Sequence, residues 1–147
     1  MEWTEEHGAL QAIMRKEFTT MQKLLTNIRL EEQFILKKET QYWKQLMAER
    51  LYIQQELVNI HKDRMAAMEK LLLLAKAPYA ALEALLPPQD ANSWEILSMR
   101  DQMATLQDRI YLQVGRNEVL ARTVKTAASR ALAIETEEEH NGGREAS

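Results

Sequence analysis

The chain has no cysteine, so it can form neither a disulfide nor a thiolate metal site, and a reducing compartment is the simpler setting. Only four glycines and three prolines interrupt its 147 residues, which argues for helices of unusual length. Aromatic residues amount to 6%, and the Val and Thr that strands prefer are scattered, so no segment has the composition of a strand. No apolar run approaches the roughly 20 residues of a membrane span. The opening Met1-Glu2-Trp3-Thr4-Glu5-Glu6 has neither a basic nor an apolar targeting region, so the expected location is the cytoplasm, without membrane insertion. Strong net charge is missing too: the formal value is -3, with acids and bases interleaved, and no nucleic-acid partner is expected.

What remains is a foldable balance of 46% hydrophobic and 28% charged residues, rich in Ala, Leu, Glu, Lys, Gln, Arg and Met. From Ala9 to Ala77 there is no Gly or Pro, and apolar residues recur at helical spacing. Leu10, Met14, Phe18, Met21, Leu25, Ile28, Glu32 and Ile35 form one stripe, broken in character only by Glu32. Trp43, Leu46, Arg50, Ile53, Leu57, Ile60, Arg64, Ala67, Leu71 and Leu74 form a second, alternating steps of three and four as a coiled-coil seam does. The two stripes lack a common frame. Lys37-Lys38-Glu39-Thr40 lies between them, which predicts a bend or tight helix-helix turn there with Thr40 as an N-cap; the rival is one continuous helix.

Pro78 suits the first turn of a short helix through Leu86, stopped by Pro87-Pro88. Asn92-Ser93-Trp94-Glu95 then has the form of a capping box, Asn92 capping and Glu95 reaching back. Met99, Met103, Leu106, Ile110, Gln113, Asn117, Leu120, Val124, Ala127, Ala131 and Ile134 continue in heptad steps, predicting a last helix to about Ile134. The expected fold is all-α: an elongated antiparallel helical bundle or coiled-coil hairpin, with two or three long helices and one short one. Residues 1–134 form its single domain, and the acidic stretch 135–147 is expected to be a disordered tail.

Chemistry is hard to find in this pattern. His7, His61 and His140 are far apart and without recurring carboxylates at ligand spacing, so no metal is expected. There is no glycine-rich phosphate loop and no serine in a nucleophile-elbow context, and heptad helices bury their seams and expose convex flanks. The expectation is a non-enzymatic protein without a cofactor. Polar residues inside the stripes, Glu32, Arg50, Arg64, Gln113 and Asn117, either snorkel to water and fix register, or weaken the seam so that it opens to a partner. Gly115 and Asn117 together suggest a soft spot in the last helix. Beyond it the stripe turns small (Val124, Ala127, Ala128, Ala131, Ala133), a poor self-stabiliser that either packs tightly in the bundle or is completed by another protein's helix. Met65, Met68, Met99 and Met103 suit an adaptable surface, but core filling is the commoner use of methionine.

Leu24-Leu25, Glu31-Glu32, Ile35-Leu36, Thr40, Leu46, Arg50 and Leu57, followed later by Leu106, Ile110, Asn117 and Leu120, resemble the FlgN-type flagellar export chaperones over most of residues 20 to 128. The resemblance implies a cytosolic helical chaperone that binds the C-terminal helical segments of hook-associated proteins, or of other secreted proteins, and delivers them to the gate and ATPase of the type III export apparatus. It places the partner-binding face on the last helix, at Asn117, Leu120, Val124, Ala128 and Leu132. The alternatives are a structural coiled coil of such an apparatus, like the FliJ stalk, and a homodimeric coiled-coil adaptor.

Overall fold

Thr4 opens the first helix: its hydroxyl accepts the backbone N–H of His7, and its own N–H donates to His7 Nδ1 at 3.0 Å. This is a capping box in which histidine takes the place usually held by Glu or Gln. In the computed structural model, which describes residues 1–146, with side chains through His140, this helix is α1, Glu5–Lys37. Lys38 ends it in the left-handed conformation, with Lys38 N–H donating to Ile35 O and Glu39 N–H to Phe34 O, a Schellman closure. The break therefore falls where the two sequence stripes lose their common frame. Thr40 does not cap the next helix, however. Tyr42 occupies that position without a side-chain cap, and Thr40 contributes only its carbonyl, to Trp43 N–H.

The second helix, α2, spans Trp43–Leu74 and ends as α1 does, with Lys76 left-handed and Lys76 and Ala77 N–H groups donating to Leu73 and Leu72 carbonyls. Pro78 thus follows a helix stop rather than starting a helix. The short helix expected through Leu86 is reduced to one 3-10 turn, Leu82–Leu85, entered from an extended Ala81. Leu85 and Leu86 are buried and close one end of the molecule, where His7 Nε2 donates to Leu85 O at 2.7 Å.

The third helix, α3, spans Ala91–Ala146. Asp90 caps it, accepting Asn92 N–H at 2.8 Å. The capping box expected at Asn92 and Glu95 is not formed, because both side chains are drawn to α1: Gln11 Nε2 donates to each, and Arg15 holds Glu95 through two hydrogen bonds. At its far end α3 continues past Ile134, where the sequence stripe stops; Glu135 and Glu137 to Glu139 are good helix formers and no breaker precedes Gly142. Residues 135–140 are exposed and pack on nothing.

The three helices pack together, and no strand occurs among the described residues. Direction follows from the cross-helix pairs. Asn27 meets Leu46 while Glu17 meets Arg64, so α2 runs back along α1; Arg15 meets Glu95 while Ile28 meets Asn117, so α3 runs parallel to α1. The principal helix contacts are α1 with α2 and α1 with α3, so α1 is the shared element. That position explains why α1 buries more than the apolar stripe of its sequence. Leu10, Met14, Leu25 and Ile28 are buried as the periodicity predicts, but so are Gln11, Glu17, Thr20, Leu24 and Asn27. In α2, Leu46, Ile53, Ile60, Ala67 and Leu71 form the buried seam. One core cluster joins Leu10, Met14, Leu71, Leu85, Ile96 and Met99; a smaller one joins Leu24, Ile28 and Ile53.

Because α3 is parallel to α1 and has 56 residues against 33, it outruns its neighbours. From residue 129 every described side chain is exposed, and at 1.5 Å per residue α3 projects roughly 25 Å beyond the turn between α1 and α2. Among the described residues, no helix is long and apolar enough to cross a membrane.

Candidate partner-binding face

A polar layer ties the three helices together just before α3 loses its neighbours. Asn27 Nδ2 donates to Leu46 O at 3.0 Å, and its Oδ1 accepts from Arg50 Nε at 2.8 Å. Arg50 Nη1 donates to Glu31 at 3.0 Å, and the other oxygen of Glu31 accepts from Asn117 Nδ2 at 2.8 Å. Asn117 Nδ2 also donates to Ile28 O at 2.8 Å, while Asn117 Oδ1 accepts from Gln113 Nε2 at 2.9 Å. Gln113 in turn donates to Glu32, which pairs with Arg116 at 2.7 Å.

Asn117 is 2% exposed with both amide protons and its oxygen engaged, so it incurs no cost of an unmade hydrogen bond. It is a fastening point rather than a soft spot, and it is turned inward onto α1, away from any exposed face. Arg50 and Arg64 do not snorkel freely either: they pair across the α1–α2 seam with Glu31 and Glu17. Periodicity missed Asn27 and Glu31 as members of this layer. Their separation of four places both on the same side of α1, which was the available signal.

Past the layer, the residues of the expected face separate by exposure. Leu120 and Val124 are half-buried, and Ala128 and Leu132 are exposed, Leu132 at 65%. Val124 and Ala128 share one wall, with Ala121, of an open groove of about 270 Å³ at the α1–α2 turn; Phe34, Ile35 and Trp43 form the opposite wall. The lining is almost wholly apolar, and Lys38, Glu39 and Lys125 stand at its rim. Phe34 and Tyr42, with ring centroids 5.9 Å apart, brace the turn behind it. Leu132 lies one helical turn beyond Ala128, on the projecting part. A side chain of leucine or phenylalanine size from another helix fits the groove, and the stripe leading out of it offers that helix a track.

Comparison with family models, with curated proteins and with solved structures finds no match. Choice of the working face therefore rests on exposure and shape. A larger groove, about 690 Å³, runs between α1 and α3, but nearly half of its surface is polar: Arg100, Asp101, Gln102 and Arg109 line it beside Phe18, Trp94, Leu97 and Leu106. Further apolar groups are exposed that the heptad stripes did not mark: Tyr111, Leu112 and Val119 around Gly115 on α3, and Leu51, Val58 and Met65 at seven-residue intervals on α2. No cluster of three or more metal-ligating side chains occurs among the described residues. Two exposed ion pairs shift the ionisation of their carboxylates. The hydrogen bond from Arg15 holds the Glu95 carboxyl below the usual glutamate range, and that from Arg100 does the same for Glu83. Both pairs fasten the start of α3, one to α1 and one to the 3-10 turn, and neither faces the apolar groove.

Proposed function

We propose that this chain is an export chaperone of the FlgN type, which covers the C-terminal helical segment of a hook-associated or other type III secreted protein in the cytoplasm and hands it to the export gate and ATPase. The mechanism is burial of an amphipathic helix, without bond chemistry. The observation that carries the reading is the open apolar groove between Phe34, Trp43, Val124 and Ala128, continuous with an α3 that has no neighbour beyond it. A secreted helical terminus laid there would have its apolar stripe shielded while it waits. The three-helix body upstream of Asn117 holds the groove in place, because the polar layer fixes the register of α3 against α1.

Isothermal titration of the chain with synthetic C-terminal segments of hook-associated proteins tests this. Saturable heat is expected at micromolar concentrations, lost in Ala128→Glu and Leu132→Asp, whose thermal melting should match the parent because both positions are exposed. Absence of heat at tens of micromolar would sink the proposal.

A further inference from the structure

Past Ala121, α3 carries its charges in two separate stretches. Arg122, Lys125 and Arg130 come first, with no acid among residues 122–130; Glu135, Glu137, Glu138 and Glu139 follow, with no base among residues 135–139. All are exposed, and none joins an ion pair among the described residues. Between the stretches lie Ala131, Leu132, Ala133 and Ile134, with Leu132 and Ile134 more than half exposed. A helix that projects into solvent would gain i, i+4 support from mixing its charges, as the rest of the chain does; here they are segregated instead.

We propose that a second copy of this chain covers the projecting end of α3, the two ends lying antiparallel so that the basic stretch of each meets the acidic stretch of the other. Such a contact is isologous and closes on itself as a two-fold dimer. Its seam runs through Ala127, Ala131 and Ile134, all exposed, where small side chains permit close approach of the two helices. Arg130 and Glu137 then occupy the same flank one heptad apart, so the two-fold brings Arg130 of each copy against Glu137 of the other, twice. A parallel pair would stack four glutamates on four glutamates and bases on bases. The bodies do not collide, since they lie at opposite ends of the paired segment. The pairing uses the flank of α3 that carries Ala127, Ala131 and Ile134, whereas the export reading uses the flank that carries Ala128 and Leu132, and self-association of the chain alone reads the first without the second.

Light scattering on the full chain at tens of micromolar tests it. A dimer is expected at low salt that dissociates as ionic strength rises and the screening length falls below about 5 Å. Reversing Arg122, Lys125 and Arg130 to Glu, or reversing the four glutamates to Lys, should each weaken self-association at least about tenfold, and an equimolar mixture of the two variants should dimerise again. That rescue also shows that neither variant is merely misfolded. Orientation is read by cross-linking, because the chain has no cysteine of its own. In a mixture of Ala127→Cys and Glu138→Cys chains, oxidation should give mixed disulfides, resolved by mass spectrometry. A monomer at hundreds of micromolar, a dimer indifferent to both reversals, or predominantly homotypic disulfides would each overturn the proposal.

Discussion

The two parts of α3 carry the same heptad spacing and live in different surroundings. Up to Asn117 the stripe is pressed against α1: Ile96 is fully buried and Met99, Met103 and Leu106 are nearly so. Past Val124 the stripe continues through Ala127, Ala131 and Ile134, but all three are exposed. Periodicity therefore reports which residues share a face, and nothing about whether anything lies against that face. The boundary between the regimes is set by lengths: α1 ends at Lys37, its register with α3 is fixed by Asn117, and a helix of 56 residues beside one of 33 must overhang.

The sharpest way to break this contrast is to cut one side chain from each part. Leu10→Ala removes a fully buried side chain that packs in the main core cluster and is expected to cost about 3 kcal/mol in urea unfolding. Leu132→Ala, measured in dilute solution, should change stability by less than about 0.5 kcal/mol. Comparable losses at the two sites would mean that the projecting helix is covered by the rest of its own chain.

Next in size is the fastening itself. Asn117→Ala should cost about 2 kcal/mol, since it strips a donor from the Glu31 carboxylate and an acceptor from Gln113 inside a layer that is already short of one partner at Arg50 Nη2. Asn117→Asp should lose more than Asn117→Ala, because it sets a second carboxylate against Glu31 and removes both donors. An unchanged denaturation midpoint in either variant would remove the layer from the account of how α3 is held.

How much of this was legible beforehand follows from where each signal came from. The α1–α2 break showed in the sequence because two stripes fell out of frame around Lys38, and the seam of α2 showed because Leu46, Ile53, Ile60 and Ala67 recur every seven residues. The central place of α1 was hidden, because its second buried side is lined largely by Gln11, Glu17, Thr20 and Asn27, which hydrophobic periodicity counts as surface. Burial of these groups depends on partners from distant segments, such as Arg64 for Glu17 and the Leu46 carbonyl for Asn27, and local pattern does not name such partners. The capping box at Asn92 failed for the same reason: Gln11 and Arg15 compete for its side chains. At the candidate face, Val124, Ala128 and Leu132 came from the family resemblance, and their spacing of four sets them on one side of α3, while the wall opposite them, Phe34, Ile35 and Trp43, exists only once the α1–α2 turn has folded beside α3.

A smaller effect of opposite sign is expected at Gly115, on the clasped side of the boundary. It sits in unbroken helix with nothing within 4 Å of where a Cβ would stand. Gly115→Ala should therefore stabilise the chain by about 1 kcal/mol, seen as a raised denaturation midpoint. Destabilisation would show that the exposed strip of Tyr111, Leu112 and Val119 is packed against something in solution.

The smallest expected effect separates the first turn of α3 from the rest by pH. Arg15 holds the Glu95 carboxyl below its ordinary value in the folded chain, so folding favours the charged form. A lowered folded value means that the stabilisation is fully present above the ordinary glutamate pKa of about 4.3 and is lost as the pH falls through the depressed value. The melting temperatures of the parent and of Glu95→Gln should therefore differ by a constant small amount from neutral pH down to about 5 and converge as the pH falls through the depressed value. The gap must be small, because the pair is solvated and screened, and it should narrow with added salt. A gap that widens on acidification would mean that Glu95 is held in its protonated form, and the contact that starts α3 on α1 would have to be something other than this ion pair.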